Sequence, residues 1–149
     1  MEILLDIFHL DFLACIVIEV FRSLFFGLEN DDIQIGIVLN SINSILYNSL
    51  GSIPINHNWQ NNDVFGIGVV YPPIGTYEQP HIFLTLNGLK LGKTILLLNT
   101  DDTNNLFPTI YIKCCSVETN FGNTDFIYNI NGHITHGERY TENDWIIID

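Results

Sequence analysis

The fold is decided by Phe83-Leu84-Thr85-Leu86-Asn87-Gly88-Leu89-Lys90-Leu91-Gly92, a stretch in the middle of the chain. Asn87 and Gly88 tolerate the positive backbone φ angles that a type I′ turn requires. Apolar or β-branched residues stand on both sides of this pair, as they do in two strands that meet at a turn. The stretch therefore predicts a tight antiparallel β-hairpin.

Short β-rich runs extend the same pattern along the chain in both directions. Each run is followed by Gly, Pro, Asn or Asp, and after Phe26 no long segment keeps apolar residues at helical spacing. Regular spacing of such runs is typical of an all-β sandwich or barrel. The predicted strands are Cys15–Phe21, Ile33–Leu39, Ser44–Tyr47, Val64–Tyr71, Ile82–Leu86, Thr94–Leu98, Phe107–Ile112, Val117–Phe121 and Phe126–Ile130.

Glycines and aromatic residues indicate how these strands pack. Gly66 and Gly68 alternate with apolar residues inside one predicted strand, which indicates close approach by a neighbouring backbone or an aromatic ring. Large aromatic side chains contribute to stability when buried, so we expect them in the core or at its margins. These side chains are Trp59, Phe65, Phe83, Phe107, Phe121, Phe126 and Trp145.

Composition limits the class of protein. The chain has 149 residues, of which 47% are apolar and 15% charged, which indicates one domain with a real core. Its formal net charge is −12, and its five Lys and Arg residues are scattered. Nucleic acids and anionic membranes are bound by clustered basic residues, so neither is an expected partner, whereas a basic or neutral partner is permitted.

The N-terminus and the cysteines indicate an intracellular protein. Charged residues interrupt the apolar stretch Met1–Leu28, so its uncharged runs are too short for a membrane span. The stretch also lacks the basic residues with which a secretory signal begins. An odd cysteine count (Cys15, Cys114 and Cys115) fits reduced thiols, and no Asn-x-Ser/Thr acceptor occurs. We expect a cytoplasmic location.

Four segments in order carry a resemblance to a known family. Asn62–Val69 is similar to the motif G-D-x-x-G-C-G-V, and Ile82–Gly92 is similar to I-F-F-T-K-N-G-x-x-L-G. Leu106–Ile110 is similar to L-Y-P-T-V, and Val117–Gly122 with Phe126–Ile130 is similar to V-x-x-N-F-G…P-F-x-F-D-I. Together they resemble the SPRY domain, especially the type found in Ran-binding protein M. Ile67, Leu86 and Asn129 depart from the usual Cys, Lys and Asp.

The resemblance implies a fold, a domain division and a role. The fold would be an antiparallel β-sandwich of two sheets, of the concanavalin-like jelly-roll kind, with room for a short helical extension at either end. The division would be a divergent segment 1–13, a SPRY domain 14–130 and a tail 131–149. The role would be a non-enzymatic protein-interaction module, such as a scaffold or ubiquitin-ligase adaptor. A lectin-like carbohydrate-binding sandwich and a truncated copy without independent function are the alternatives.

The sequence contains no complete motif for catalysis or for cofactor binding. Gly51-Ser52-Ile53-Pro54 lacks the second glycine of a nucleophile elbow, and Gly92-Lys93-Thr94 lacks the earlier glycine of a phosphate loop. His133 and His136, with Glu138, are the best metal candidates. Gly132 and Gly137 bracket that pair and disfavour the helix that its spacing suits, so we interpret it as a surface tail. No catalytic residue, metal or cofactor is expected.

A binding surface on a sandwich is expected in its loops, because loops carry function on a rigid framework. Tyr71 and Tyr77 are candidate amphipathic anchors for a protein or peptide partner. Asn104, Asn105 and Lys113 are candidates to pair with a peptide backbone. The loops that carry these candidates, and one further loop, are Asn40–Asn43, Tyr71–Pro80, Asn99–Asn105 and Lys113–Ser116.

Overall fold

A computed structural model gives the fold of most of the chain. It describes residues 7–15, 23–40, 44–48, 51–57, 63–71, 75, 77, 79–97, 106–113, 116–120, 124–133 and 137–147. Eleven strands lie in this part of the chain: β1 Ile7–Cys15, β2 Ser23–Glu29, β3 Gln34–Asn40, β4 Ser44–Asn48, β5 Gly51–Ile55, β6 Val64–Val70, β7 His81–Leu86, β8 Leu89–Leu96, β9 Phe107–Lys113, β10 Ser116–Asn120 and β11 Ile146–Ile147.

The strands form two antiparallel sheets, which confirms the all-β sandwich. The five-stranded sheet has the order β10-β1-β6-β7-β8, and the six-stranded sheet has the order β11-β5-β4-β3-β2-β9. The expected helical extension is represented, among the described residues, by two three-residue 3-10 turns, Ile130–Gly132 and Glu142–Asp144.

Alternate residues of each strand point to the same face of its sheet, and the apolar faces of the two sheets pack together to form the core. In β6, Phe65, Ile67 and Val69 point inward and are almost fully buried. The six-stranded sheet contributes a comparable set of inward-pointing apolar side chains. The rings of Phe26 and Phe65 contact each other between the sheets, with centroids 5.5 Å apart. The buried cluster comprises Phe26, Leu28, Ile35, Ile37, Leu39, Leu46, Phe65, Ile67, Val69, Ile82, Leu84, Ile95 and Leu97.

The hairpin predicted at Asn87 and Gly88 is confirmed. Leu86 pairs with Leu89 across the turn, and both turn residues have positive φ angles, 51° for Asn87 and 83° for Gly88. Positive φ at both central positions is the requirement of the type I′ turn. The strand after the turn begins at Leu89, earlier than the predicted Thr94.

The close approach predicted for the glycines of β6 is confirmed at Gly68. Gly68 lies opposite Phe83 in the register, and a Cβ placed on Gly68 would lie 2.3 Å from the Phe83 Cζ. The ring of Phe83 therefore occupies the space over Gly68, on the outer face of the five-stranded sheet. That face is buried too, since Phe83, Val70 and His81 are at most 5% exposed.

The predicted strand Phe126–Ile130 is wrong. These residues form bends and irregular backbone that lead into the 3-10 turn. Phe126, Tyr128 and Ile130 are partly buried while Ile127 and Asn129 are exposed, so the burial alternates as it would in a strand. The alternation arises because the segment lies on a sheet, where the Tyr128 ring contacts Phe83 at 5.3 Å.

Several strands begin or lie where the sequence did not predict them. Strands β2 and β5 were missed, and β1 precedes the predicted strand Cys15–Phe21, of which only Cys15 lies among the described residues. The division at 13/14 and 130/131 stays a prediction, although β1 crosses the first limit. Beyond the second limit, β11 pairs with β5 through Ile146 and Ser52.

Two ends of the sandwich are needed to place the candidate site. We call one end the Asp63 end, where β6 begins and the Asn87 turn lies. The other is the Tyr71 end, where β6 finishes and β7 begins. Seven residues of β6 separate them, which at about 3.3 Å per residue is roughly 20 Å.

Candidate partner-binding site

The connection between β6 and β7 holds two of the predicted anchors in different environments. Tyr71 is half-buried and packs against the core cluster, and this burial raises the pKa of its phenol. Tyr77 is fully exposed, with a relative exposure of 106%. The connection closes at Pro80, which is buried and whose carbonyl accepts a hydrogen bond from the Leu97 amide at 2.9 Å. An exposed aromatic ring thus stands on a connection that is anchored at both ends.

Lys113 lies at the opposite end of the molecule from Tyr71 and Tyr77. It ends β9, three residues before Ser116, which begins β10 and pairs with Cys15 of β1. Since Leu13 of β1 pairs with Val64, the start of β10 lies at the Asp63 end. The structure therefore does not bring Lys113 together with the two tyrosines.

Asn104 and Asn105 lie outside the described residues. The described chain on one side of them ends at Leu97, at the Tyr71 end, and resumes at Leu106. Of the five predicted site residues, Tyr71 and Tyr77 thus share one connection, Lys113 is distant from it, and the two asparagines are not placed.

A polar network fills the Asp63 end. Asp63 is buried, with a relative exposure of 6%, and its carboxylate lies 2.8 Å from the His57 Nε2. The Asn87 side chain donates to the Asp63 Oδ1 at 3.0 Å and accepts from the Val64 amide at 2.8 Å. These contacts join the segment after β5, the start of β6 and the hairpin turn. We interpret the network as structural, because its bonds hold three elements together.

Two histidines meet on the outer face of the five-stranded sheet. The Nε2 atoms of His81 and His133 are 3.4 Å apart, and the Tyr128 hydroxyl lies 2.8 Å from the His133 Nδ1. The His133 ring also stacks on Phe83, with centroids 4.0 Å apart. His133, the predicted metal candidate, thus binds the C-terminal segment to the sheet, while His136 lies outside the described residues. Within those residues, no group of three His, Cys, Asp or Glu side chains could hold a metal ion.

A small cavity opens beside β8. Its volume is about 210 Å³, and its described lining contains no charged side chain. Tyr140 closes it from the C-terminal segment, with its hydroxyl above Gly92, and the Trp145 ring contacts Tyr140 at 6.0 Å. The lining residues are Leu46, Pro54, Ile55, Asn56, Leu84, Leu91, Gly92 and Tyr140. The lining is mainly apolar, with the Asn56 side chain and the Tyr140 hydroxyl as its polar side-chain groups.

The outer face of the six-stranded sheet exposes residues that the sequence analysis did not select. Phe107 was expected in the core or at its margin, which is wrong, since it is 62% exposed. Tyr111 is 54% exposed, and its hydroxyl donates to the Glu29 Oε1 at 3.0 Å. Both are odd-numbered residues of β9, and the alternation in Phe107–Lys113 was the signal that could have placed them on one outward face.

Comparisons with models of known protein families, with curated proteins and with solved structures find no match. In the described part of the chain, no helix is long and apolar enough to cross a membrane.

Proposed function

We propose that this chain is a non-enzymatic, SPRY-type protein-interaction module that binds a short segment of a partner protein at the Tyr71 end. One observation carries the proposal. Tyr77 is fully exposed on a connection whose ends are fixed by the packing of Tyr71 and by the bond from Leu97 to Pro80. Tyrosine is favoured as a binding anchor because it offers a large apolar surface and a hydroxyl at low entropic cost.

The SPRY assignment rests on the four motifs, most of which lie on strands. Asn62–Val69 covers β6 except Val70, Ile82–Gly92 contains the hairpin turn, Leu106–Ile110 begins β9 and Val117–Gly122 overlaps β10, whereas Phe126–Ile130 of the fourth motif is not a strand. A scaffold or adaptor role in the cytoplasm is what this resemblance, the odd cysteine count and the absence of glycosylation acceptors support.

Peptide selection followed by calorimetry tests the proposal. A library of random peptides is selected on the full chain, and the enriched peptides are titrated into wild-type protein and into two variants. Tyr77→Ala should weaken binding about tenfold or more, because truncation of a central aromatic anchor typically costs over 1 kcal/mol.

Leu89→Ala is the control, because Leu89 is also a large exposed apolar side chain but begins β8 at the hairpin, at the opposite end of the sandwich from Tyr77. It should bind the same peptides as wild type. Failure to enrich any peptide, or equal loss of affinity in both variants, would contradict the proposal.

A further inference from the structure

A carboxylate framed by aromatic rings lies on the outer face of the six-stranded sheet. In the register, Tyr111 pairs with Phe25, and Phe107 pairs with Glu29 four residues further along β2. Gly27 stands between Phe25 and Glu29, so β2 itself places no side chain between Phe25 and the carboxylate that the Tyr111 phenol reaches, and Thr109 is the β9 residue opposite Gly27. We call the set Phe25, Glu29, Phe107 and Tyr111 the outer aromatic face.

Hydrogen bonds hold the Glu29 carboxylate in place. The Oε1 accepts from the Tyr111 hydroxyl and the Oε2 accepts from the Gln34 Nε2, each at 3.0 Å. A carboxylate has about four lone-pair sites, so each oxygen keeps the capacity to accept another donor. The hydrogen bond and the negative charge of Glu29 raise the pKa of the Tyr111 phenol, which stays neutral and continues to donate.

Two of the three rings beside this carboxylate are accessible. Phe25 is 8% exposed and supports Tyr111 with ring centroids 5.9 Å apart, whereas Phe107 and Tyr111 are more than half exposed. A planar guanidinium suits such a place, because it stacks on an aromatic ring and donates to both oxygens of a carboxylate. The net charge of −12 adds an attraction for cations and disfavours a second copy of this chain.

We propose that the outer aromatic face binds an arginine side chain of a partner protein. The partner lies across the face. Extension of the sheet at β9 is not proposed, because Pro108 and Lys113 in this edge strand are features that block strand addition. This surface belongs to a different sheet from Tyr71 and Tyr77, so the proposal does not depend on the proposed function.

Nuclear magnetic resonance titration tests the proposal with a defined probe. The probe is a short blocked peptide with a central arginine between glycine and threonine, and its counterpart carries neutral citrulline at the same position. The arginine peptide should shift the amide signals of Gly27, Glu29 and Tyr111, and its affinity should fall as salt is added. The citrulline peptide should bind at least about fivefold more weakly, because the charge supplies much of the attraction.

Two variants complete the design. Glu29→Gln keeps the shape of the side chain but removes the charge, and should weaken the arginine peptide at least about fivefold. Glu138→Gln removes an exposed carboxylate elsewhere and should leave its affinity unchanged. Tyr77→Ala should also leave it unchanged, which separates this proposal from the proposed function.

Equal binding of the arginine and citrulline peptides would overturn the proposal. Wild-type affinity in Glu29→Gln, or shifts located away from β2 and β9, would do so as well. The comparison of the two peptides on wild-type protein decides the matter even if Glu29→Gln fails to fold.

Discussion

For single residues, the position of a tyrosine in the fold decides whether it stabilises the structure or is available for binding, as Tyr71 and Tyr77 show. Tyr71 packs against the core with a half-buried ring, whereas the Tyr77 ring is exposed. The first stabilises the start of the connection, and the second is available to a partner. A loss of binding in Tyr77→Ala should therefore come without a loss of stability, whereas Tyr71→Ala mixes the two effects.

Gly68 is a second residue whose role follows from its neighbour. The Phe83 ring occupies the position of its absent side chain, so Gly68→Ala forces the ring or the strand to move. We expect the free energy of unfolding to fall by about 1–3 kcal/mol, as overpacked cores show. Urea denaturation measures this loss.

Gly132→Ala is the control for this substitution. Gly132 lies in the 3-10 turn, where an added Cβ would approach only the Asn129 side chain, at 3.3 Å. Its effect should be within about 0.5 kcal/mol, as for most surface substitutions. A Gly68→Ala variant as stable as Gly132→Ala would contradict the packing described for Phe83.

Among the structural elements, the hairpin turn between β7 and β8 is hydrogen-bonded to the start of β6. Asn87 provides the turn geometry and also bonds to Asp63 and to the Val64 amide. Asn87→Ala removes both side-chain bonds and places alanine at a positive φ. Unfolding free energy should fall by about 1–3 kcal/mol, because Asp63 is left buried with one donor fewer.

Thermal or urea unfolding measures that change, with Asn131→Ala as the control. Asn131 is exposed in the 3-10 turn, so its substitution should be nearly neutral. If Asn87→Ala is equally neutral, the network at the Asp63 end does not join the elements as described.

The hairpin was predictable because neighbouring residues in the sequence determine its turn. Other strands were not predictable because their formation depends on partners that are distant in the sequence. In β5, Pro54 is a residue that local patterns disfavour inside a strand. The structure accommodates it because β11, within the described residues, pairs with Gly51 and Ser52 and does not reach Pro54. Phe126–Ile130 shows the reverse error, since its burial alternates against a sheet without strand pairing. Strand identity depends on distant partners that a local pattern does not contain.

The candidate site was predictable only in part for the same reason. An exposed tyrosine in a Pro- and Gly-containing connection is a local signal, and Tyr77 fits it. The distance between Tyr77 and Lys113 depends on which strands pair, and the sequence pattern does not fix that order. The outer aromatic face was missed because Glu29 and Tyr111 are 82 residues apart.

At the scale of the whole molecule, the sandwich presents two chemically different ends. The Asp63 end is held by hydrogen bonds to the buried Asp63 carboxylate, and the Tyr71 end carries the exposed ring on an anchored connection. The net charge of the whole chain is −12, which favours basic or neutral partners over acidic ones. The Asp63 end therefore contributes to stability, and we propose the Tyr71 end as the site that binds a peptide.

Mapping a selected peptide onto the chain tests this assignment most directly. Amide signals of isotope-labelled protein are followed by nuclear magnetic resonance as the peptide is added. We predict that the shifted signals include Tyr71, Tyr77 and Gln79, with Asn87 and Lys113 unaffected. Shifts concentrated around Asn87 and Lys113, with Tyr77 unchanged, would contradict it.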